Sequence, residues 1–413
     1  MNLSKKNLII ILLSTAVAIF FSMHIGQRFN PDTDFWHFWN AGYNFFQGNS
    51  IYLDDTGHRV FSYPPFCAML LQPLGWFSLN TAGSIFCFIN LCILILSFHL
   101  CMKILELNDV EKSKAKKAVM LGLLCAGGFY WMNLIKAQMN QVTFIFCVLG
   151  IYFHYKKKEN LSIGAFAIGA FVKVTPIFFL IWLALRGNWK TYLKIGLAII
   201  IGITIPFLFR GIEQGLLDLE VYYNRFLTPY QEGFVITRHH NQNLASAIYR
   251  LCLPSDHQIP FDVQLFNFSE QTARMIYVVS AAILLIAFLV NTIRLNLQKK
   301  EISIFEFVSV FTIAHLISGM TWKAHLVSML FIYGVLFSIN HKQLTRTNKI
   351  TLYLIFFIII AIALSGRDII SKHFYYFIEG YSFITWTLLS LFIYSIWATI
   401  SFPKLSRRID HEN

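Results

Sequence analysis

Charge is scarce in this chain, and acid scarcer still: 13% of its 413 residues are Asp, Glu, Lys or Arg, with 21 acids against 34 bases. So little charge excludes an ordinary soluble domain, in which about a quarter of residues are charged. Motifs of cytosolic chemistry are missing too. There is no P-loop, no dinucleotide fingerprint and no HExxH sequence, which removes nucleotide-dependent and zinc-hydrolase readings. The seven cysteines sit mostly inside apolar runs without metal-ligand spacing, so neither a zinc site nor a disulfide framework is indicated. No clear internal repeat of the kind many transporters carry is evident either.

What is there is apolar: 56% hydrophobic residues, 16% aromatic and a mean hydropathy of +0.57. These values describe an all-α polytopic membrane protein, because a helix satisfies its own backbone groups in lipid. Apolar runs cover about 8–23, 82–102, 118–134, 140–155, 161–172, 174–186, 192–210, 273–293, 304–319, 325–340, 350–365 and 382–402. They predict ten to twelve crossings. The segment 64–78 is also apolar, but Pro64, Pro65 and Pro73 make it an interfacial helix. The first run follows Lys5 and Lys6 with no small-x-small site before Gln27, and reads as a retained signal anchor.

The positive-inside rule orients these runs. With the amino terminus in the cytoplasm, most Lys and Arg fall inside and both termini are cytoplasmic. Two long loops, about 24–81 and 211–271, then lie outside and carry most of the acids. Residues 1–413 read as one integral membrane domain with its function on the outer face. The formal charge of +13 is explained by anionic lipid headgroups, and no nucleic-acid partner is expected.

On that face each polar candidate has a plainer alternative. Asp34 lies in Phe29-Asn30-Pro31-Asp32-Thr33-Asp34-Phe35-Trp36, where aromatic neighbours hold an acid at the membrane surface. It serves as a base, or simply caps the next helix. Lys173 occupies a tight turn between apolar half-spans, fit to snorkel or to hold a lipid phosphate. Gln138, Asn140 and Gln141 open a span and either cap it or bond a sugar hydroxyl. The run from Thr237 to Asn243 is polar, and Arg250 follows it by about two helical turns. Adjacent His239 and His240 point apart and lack a third ligand, so no metal site is expected. Trp322 suits an interfacial anchor, with Lys323 and His325 in the same short turn.

The ordered set resembles glycosyltransferase family 87, the polyprenyl-phosphate-mannose-dependent α-1,2-mannosyltransferases of GT-C architecture. The matching stretches are Asp34-Phe35 with Ala41, Gly48 and Tyr52; Tyr63-Pro64-Pro65; Gln138-Met139-Asn140; Lys173-Val174-Thr175-Pro176; Asn241-Gln242-Asn243-Leu244 with Arg250; and Ser318 to His325. Departures occur as well. Ala137 stands where relatives usually have Gly, and Asn243 where Ser is common. The last motif, roughly Ser-Pro-x-Ser-Trp-x-His-His in relatives, has here lost one histidine and gained Lys323.

The resemblance implies a GT-C fold and transfer of a sugar, mannose in the family, from a polyprenyl-phosphate donor to a hydroxyl of a glycolipid or glycan. It places this reaction outside a bacterial inner membrane, without a cofactor. Asp34 would be the base of an inverting displacement. Lys173, His325, Lys323 and Arg250 would meet the donor phosphate. Gln138, Asn140, Asn241, Gln242, His240, Tyr63 and Trp322 would contact sugar or acceptor, and Phe61 to Phe77 would wall a groove for the lipid tail. Two rivals remain at this point: a transporter or flippase of lipid-linked sugars, and an O-antigen type polymerase.

Overall fold

In the computed structural model the described residues are 5–52, 61–254, 258–340, 344–364 and 371–401, and among them no strand occurs. In chain order the helices are α1 Lys5–Gly26, α2 Asp34–Gln47, α3 Pro65–Leu71, α4 Leu79–Leu107, α5 Lys112–Ile135, α6 Asn140–Tyr155, α7 Glu159–Val172, α8 Ile177–Arg186, α9 Trp189–Thr204, α10 Phe207–Arg210, α11 Ile212–Tyr222, α12 Thr228–Glu232, α13 Leu244–Cys252, α14 Glu270–Leu297, α15 Ile304–Ile317, α16 Met329–Ser338, α17 Arg346–Leu364, α18 Lys372–Gly380 and α19 Phe383–Ser401. Two 3-10 turns, Gln72–Trp76 and Lys323–Ser328, complete the set used below.

Among the described residues, six helical stretches are long and apolar enough to cross a membrane: α4, α5, Trp189–Arg210, α14, α17 and α19. Five further apolar helices, Leu12–Gly26, α7, α8, α15 and Lys323–Ser338, have only 10–17 residues. The ten to twelve predicted crossings include these runs, each shorter than the roughly 20 residues that span hydrocarbon unaided. The proline-rich 64–78 segment forms short α3 and a 3-10 turn, as proline at helix starts dictates.

Local chemistry sets the boundaries that matter for the site. α2 buries Phe35, Phe38, Ala41, Gly42 and Phe45 along one face, the spacing of an amphipathic helix. It stops at Gly48, whose φ of 79° is the left-handed conformation that only glycine takes without strain. The buried pair Arg210 Nε and Asp218 Oδ2, 3.0 Å apart, docks α2 further, because Arg210 also donates to Asn49 O at 2.6 Å. At the other end of the bundle, Glu306 caps its own helix through Ser303 and accepts from Trp182 Nε1 at 3.0 Å. Its 3.3 Å pair with Arg186 pins α8 to α15.

Two apolar cores result. The larger involves α4–α9, α13–α17 and α19; the smaller packs α2, α3 and Phe29, Tyr52 and Phe61 against α4. The second core carries Asp34 on its rim.

Candidate active site

Asp34 is the first residue of α2, where the helix dipole favours a carboxylate. The N-cap is Thr33, whose side chain makes no capping bond and is instead held by Asn30. Gln138 Nε2 donates to Asp34 Oδ2 at 2.8 Å, and Lys136 Nζ lies 3.5 Å from the same oxygen. The Asp34 side chain is 14% exposed, shielded yet reachable. Between α5 and α6, the turn that delivers these partners passes through Ala137 at φ 44°. Asn133 and Asn140 each send Nδ2 to Ala324 O, at 3.1 and 3.0 Å, tying this turn to the 322–328 turn.

Behind it lies a cavity of about 40 Å³, room for a few waters, lined in part by Asn140, Lys173, His315, Ser318 and His325. Lys173 follows the end of α7 and donates Nζ to Asn140 Oδ1 at 2.8 Å. Desolvation pulls its ammonium down to about 7, so it titrates near neutral pH. His325 sets its Nδ1 3.1 Å from Met320 O and 3.3 Å from Trp322 N. Its ring stacks on Trp322 with centroids 6.1 Å apart.

Trp322 joins several of these groups. His240 meets it edge-on at 4.8 Å, and Lys136 Nζ lies 5.8 Å from the centroid of its ring. Burial, then the charges of His239 and Arg238, push His240 down to about 4, so it is a neutral ring at physiological pH. Lys323 turns away to Glu379 Oε1 at 3.1 Å and over Tyr375 at 4.5 Å; His239 Nε2 faces Glu379 Oε2 at 3.4 Å.

Three residues expected at the substrate have backbone partners. Arg250 is fully buried and donates to the carbonyls of Gly380, Thr237, Arg238 and Asn241 and to Ser382 Oγ. Asn241 donates to Ile236 O and Gly319 O and accepts from Thr321 N; Gln242 donates to His239 O and Glu379 O. They fix the 236–243 loop, because a buried loop must satisfy its carbonyls. Tyr63 packs its ring on Phe38 at 5.2 Å, and its carbonyl accepts from Tyr52.

Sequence reasoning passed over Lys136, His315 and Glu379. Lys136 sits two residues before Gln138, a readable signal; His315 Nε2, 2.7 Å from Ser328 Oγ, shows only as one histidine in an apolar run. Glu379 belongs to a helix far along the chain, with no motif around it. Among the described residues, no group of three or more His, Cys, Asp or Glu is placed to hold a metal ion.

The model of glycosyltransferase family 87 matches residues 61–319, more than half of the chain. The match begins after Asp34 and ends before Trp322. No curated protein matches the chain significantly.

Proposed function

The chain belongs to glycosyltransferase family 87 and is a membrane glycosyltransferase, and from that premise we propose that it moves a sugar, mannose, from a polyprenyl-phosphate donor to a hydroxyl of a glycolipid or glycan. The reaction is placed on the extracytoplasmic face of a bacterial inner membrane, with inversion and with Asp34 as base. The observation that carries this reading is the hydrogen bond to a shielded Asp34 from Gln138, two residues before Asn140, which accepts from Lys173 in the cavity.

As the acceptor oxygen bonds to the anomeric carbon, its proton passes to Asp34. The bond from that carbon to the phosphate oxygen breaks, and the electron pair stays on the phosphate. The leaving group is a good one, so a cation suffices in place of a second acid. Lys173 is that cation, with His325 beside it in the cavity. Gln138 donates to Asp34 Oδ2, and Lys136 Nζ lies beside the same oxygen, so two donors position the carboxylate. Glu379, a buried carboxylate beside the 322–328 turn, is engaged by Lys323 and His239, which supports a single-carboxylate displacement over the paired scheme of retaining glycosidases. Asn140 in the cavity and the His240–Trp322 ring pair are the groups assigned to sugar hydroxyls, whereas Lys323 and Arg250, spent on Glu379 and on carbonyls, serve the scaffold.

The test is a transfer assay in membranes with polyprenyl-phosphate mannose and candidate glycolipid acceptors. Asp34→Asn, inserted and folded like the parent, is expected to lose transfer by a factor of about 10² or more. Transfer at the parental rate in that variant would sink the assignment of the base.

A further inference from the structure

A lipid-borne donor must leave the bilayer before it reaches Lys173, and the molecule has a second opening suited to that. Between α12, α13, α14 and the end of α15 lies a cavity of about 180 Å³, lined in part by Tyr230, Phe234, Arg274, Val278 and Ser318. Ser318 also lines the Lys173 cavity, so only the 317–320 turn separates the two. Val278 and Phe234 are 53% and 57% exposed. Val278 continues the exposed apolar stripe of Met275, Ile286 and Val290 on a helix long enough to span. The cavity therefore has an exposed apolar wall on a helix long enough to span.

Its one guanidinium, Arg274, is lightly used. Nη2 reaches Gln231 O at 3.5 Å, a long bond, and among the described residues Arg274 forms no ion pair; Glu270, one turn earlier, does not pair with it. The space is built around bare backbone. A Cβ on Gly233 would stand 2.8 Å from Arg274 Cζ, and one on Gly319 would stand 2.6 Å from the Tyr230 ring. Either side chain would displace the group lying against it.

We propose that this cavity is the entry station for the donor, where Arg274 receives the phosphate of a single-chain lipid phosphate whose tail lies along α14. A planar fork of donors fits phosphate oxygens, and its position in the first turns of α14 puts it where a lipid phosphate sits when the tail is in hydrocarbon. This station rests on the reading of a polyprenyl-phosphate donor, and it adds the place where that donor is first bound.

The probe is farnesyl phosphate, titrated against the full-length protein in detergent micelles by native mass spectrometry. Arg274→Gln is expected to weaken binding roughly tenfold or more. Val278→Trp keeps the charge and narrows the mouth, and is expected to weaken binding comparably, so the station stays testable if the first variant folds poorly. Neither phosphatidylglycerol nor inorganic phosphate is expected to compete at equal concentration. Unchanged affinity in folded variants, or equal competition by either compound, would overturn the proposal. Asp34→Asn should bind farnesyl phosphate like the parent. Failure of the catalytic reading thus appears in transfer, and failure of the station appears in binding.

Discussion

Gln138 and Asp34, 104 positions apart, are joined by a hydrogen bond of 2.8 Å from amide nitrogen to carboxylate oxygen. The bond fixes which way the carboxylate faces, and orientation is worth more to a general base than proximity alone. Gln138→Ala should therefore lower kcat by about tenfold or more while leaving the thermal midpoint near the parent. Steady-state transfer kinetics beside a thermal melt in detergent check it; an unchanged kcat would free Asp34 from this partner.

Lys173 supplies the pH dependence. Its ammonium is held down to about 7, so it is charged below that pH and loses its proton above it. If its charge meets the leaving phosphate, kcat/KM for the donor is full below pH 7 and declines as pH rises through it, since that ratio reports the free enzyme. Lys173→Arg should flatten the alkaline limb, because arginine stays protonated. A profile that rises through neutrality would exclude Lys173 from this role.

Arg250 distinguishes a scaffold from a substrate contact. Removing a guanidinium that serves four carbonyls and Ser382 leaves several buried acceptors unpaired. Arg250→Ala is expected to cost on the order of 3 kcal/mol or more of stability. The measurement is the yield and melting midpoint of monodisperse protein. A well-folded variant with only a raised donor KM would return Arg250 to the phosphate.

Ala137 tests the departure from the family pattern. At φ 44° it occupies backbone space that glycine takes without strain, and its methyl is fully buried. Relief of strain and loss of the methyl, each about 1 kcal/mol, nearly cancel in Ala137→Gly, which should melt within about 1 kcal/mol of the parent. Ala137→Val puts a β-branched residue in the left-handed region and should lose both stability and transfer. Circular-dichroism melts of both variants decide the matter.

The apolar runs read from the sequence fall on helices almost one for one, from 82–102 on α4 to 382–402 on α19. Hydropathy is written locally, so it is legible without a fold. Residue roles were less legible. Asn241, Gln242 and Arg250 carry the same functional groups whether they meet a sugar or a carbonyl, and only burial tells which. Lys323 likewise reads as a free cation until Glu379, 56 positions later, is brought to 3.1 Å.

By itself, then, the sequence determined that this chain is a helical membrane protein, and its ordered motifs pointed to a glycosyltransferase family, since apolar run length and short motifs are properties of neighbouring residues. The tertiary structure decided which partner each polar group has. Asp34 acquires Gln138 and Lys136, and Lys173 acquires Asn140 and a cavity, while Arg250 is consumed by the backbone. Those outcomes depend on turns converging from distant parts of the chain, where the need to satisfy buried polar groups assigns each side chain its partner.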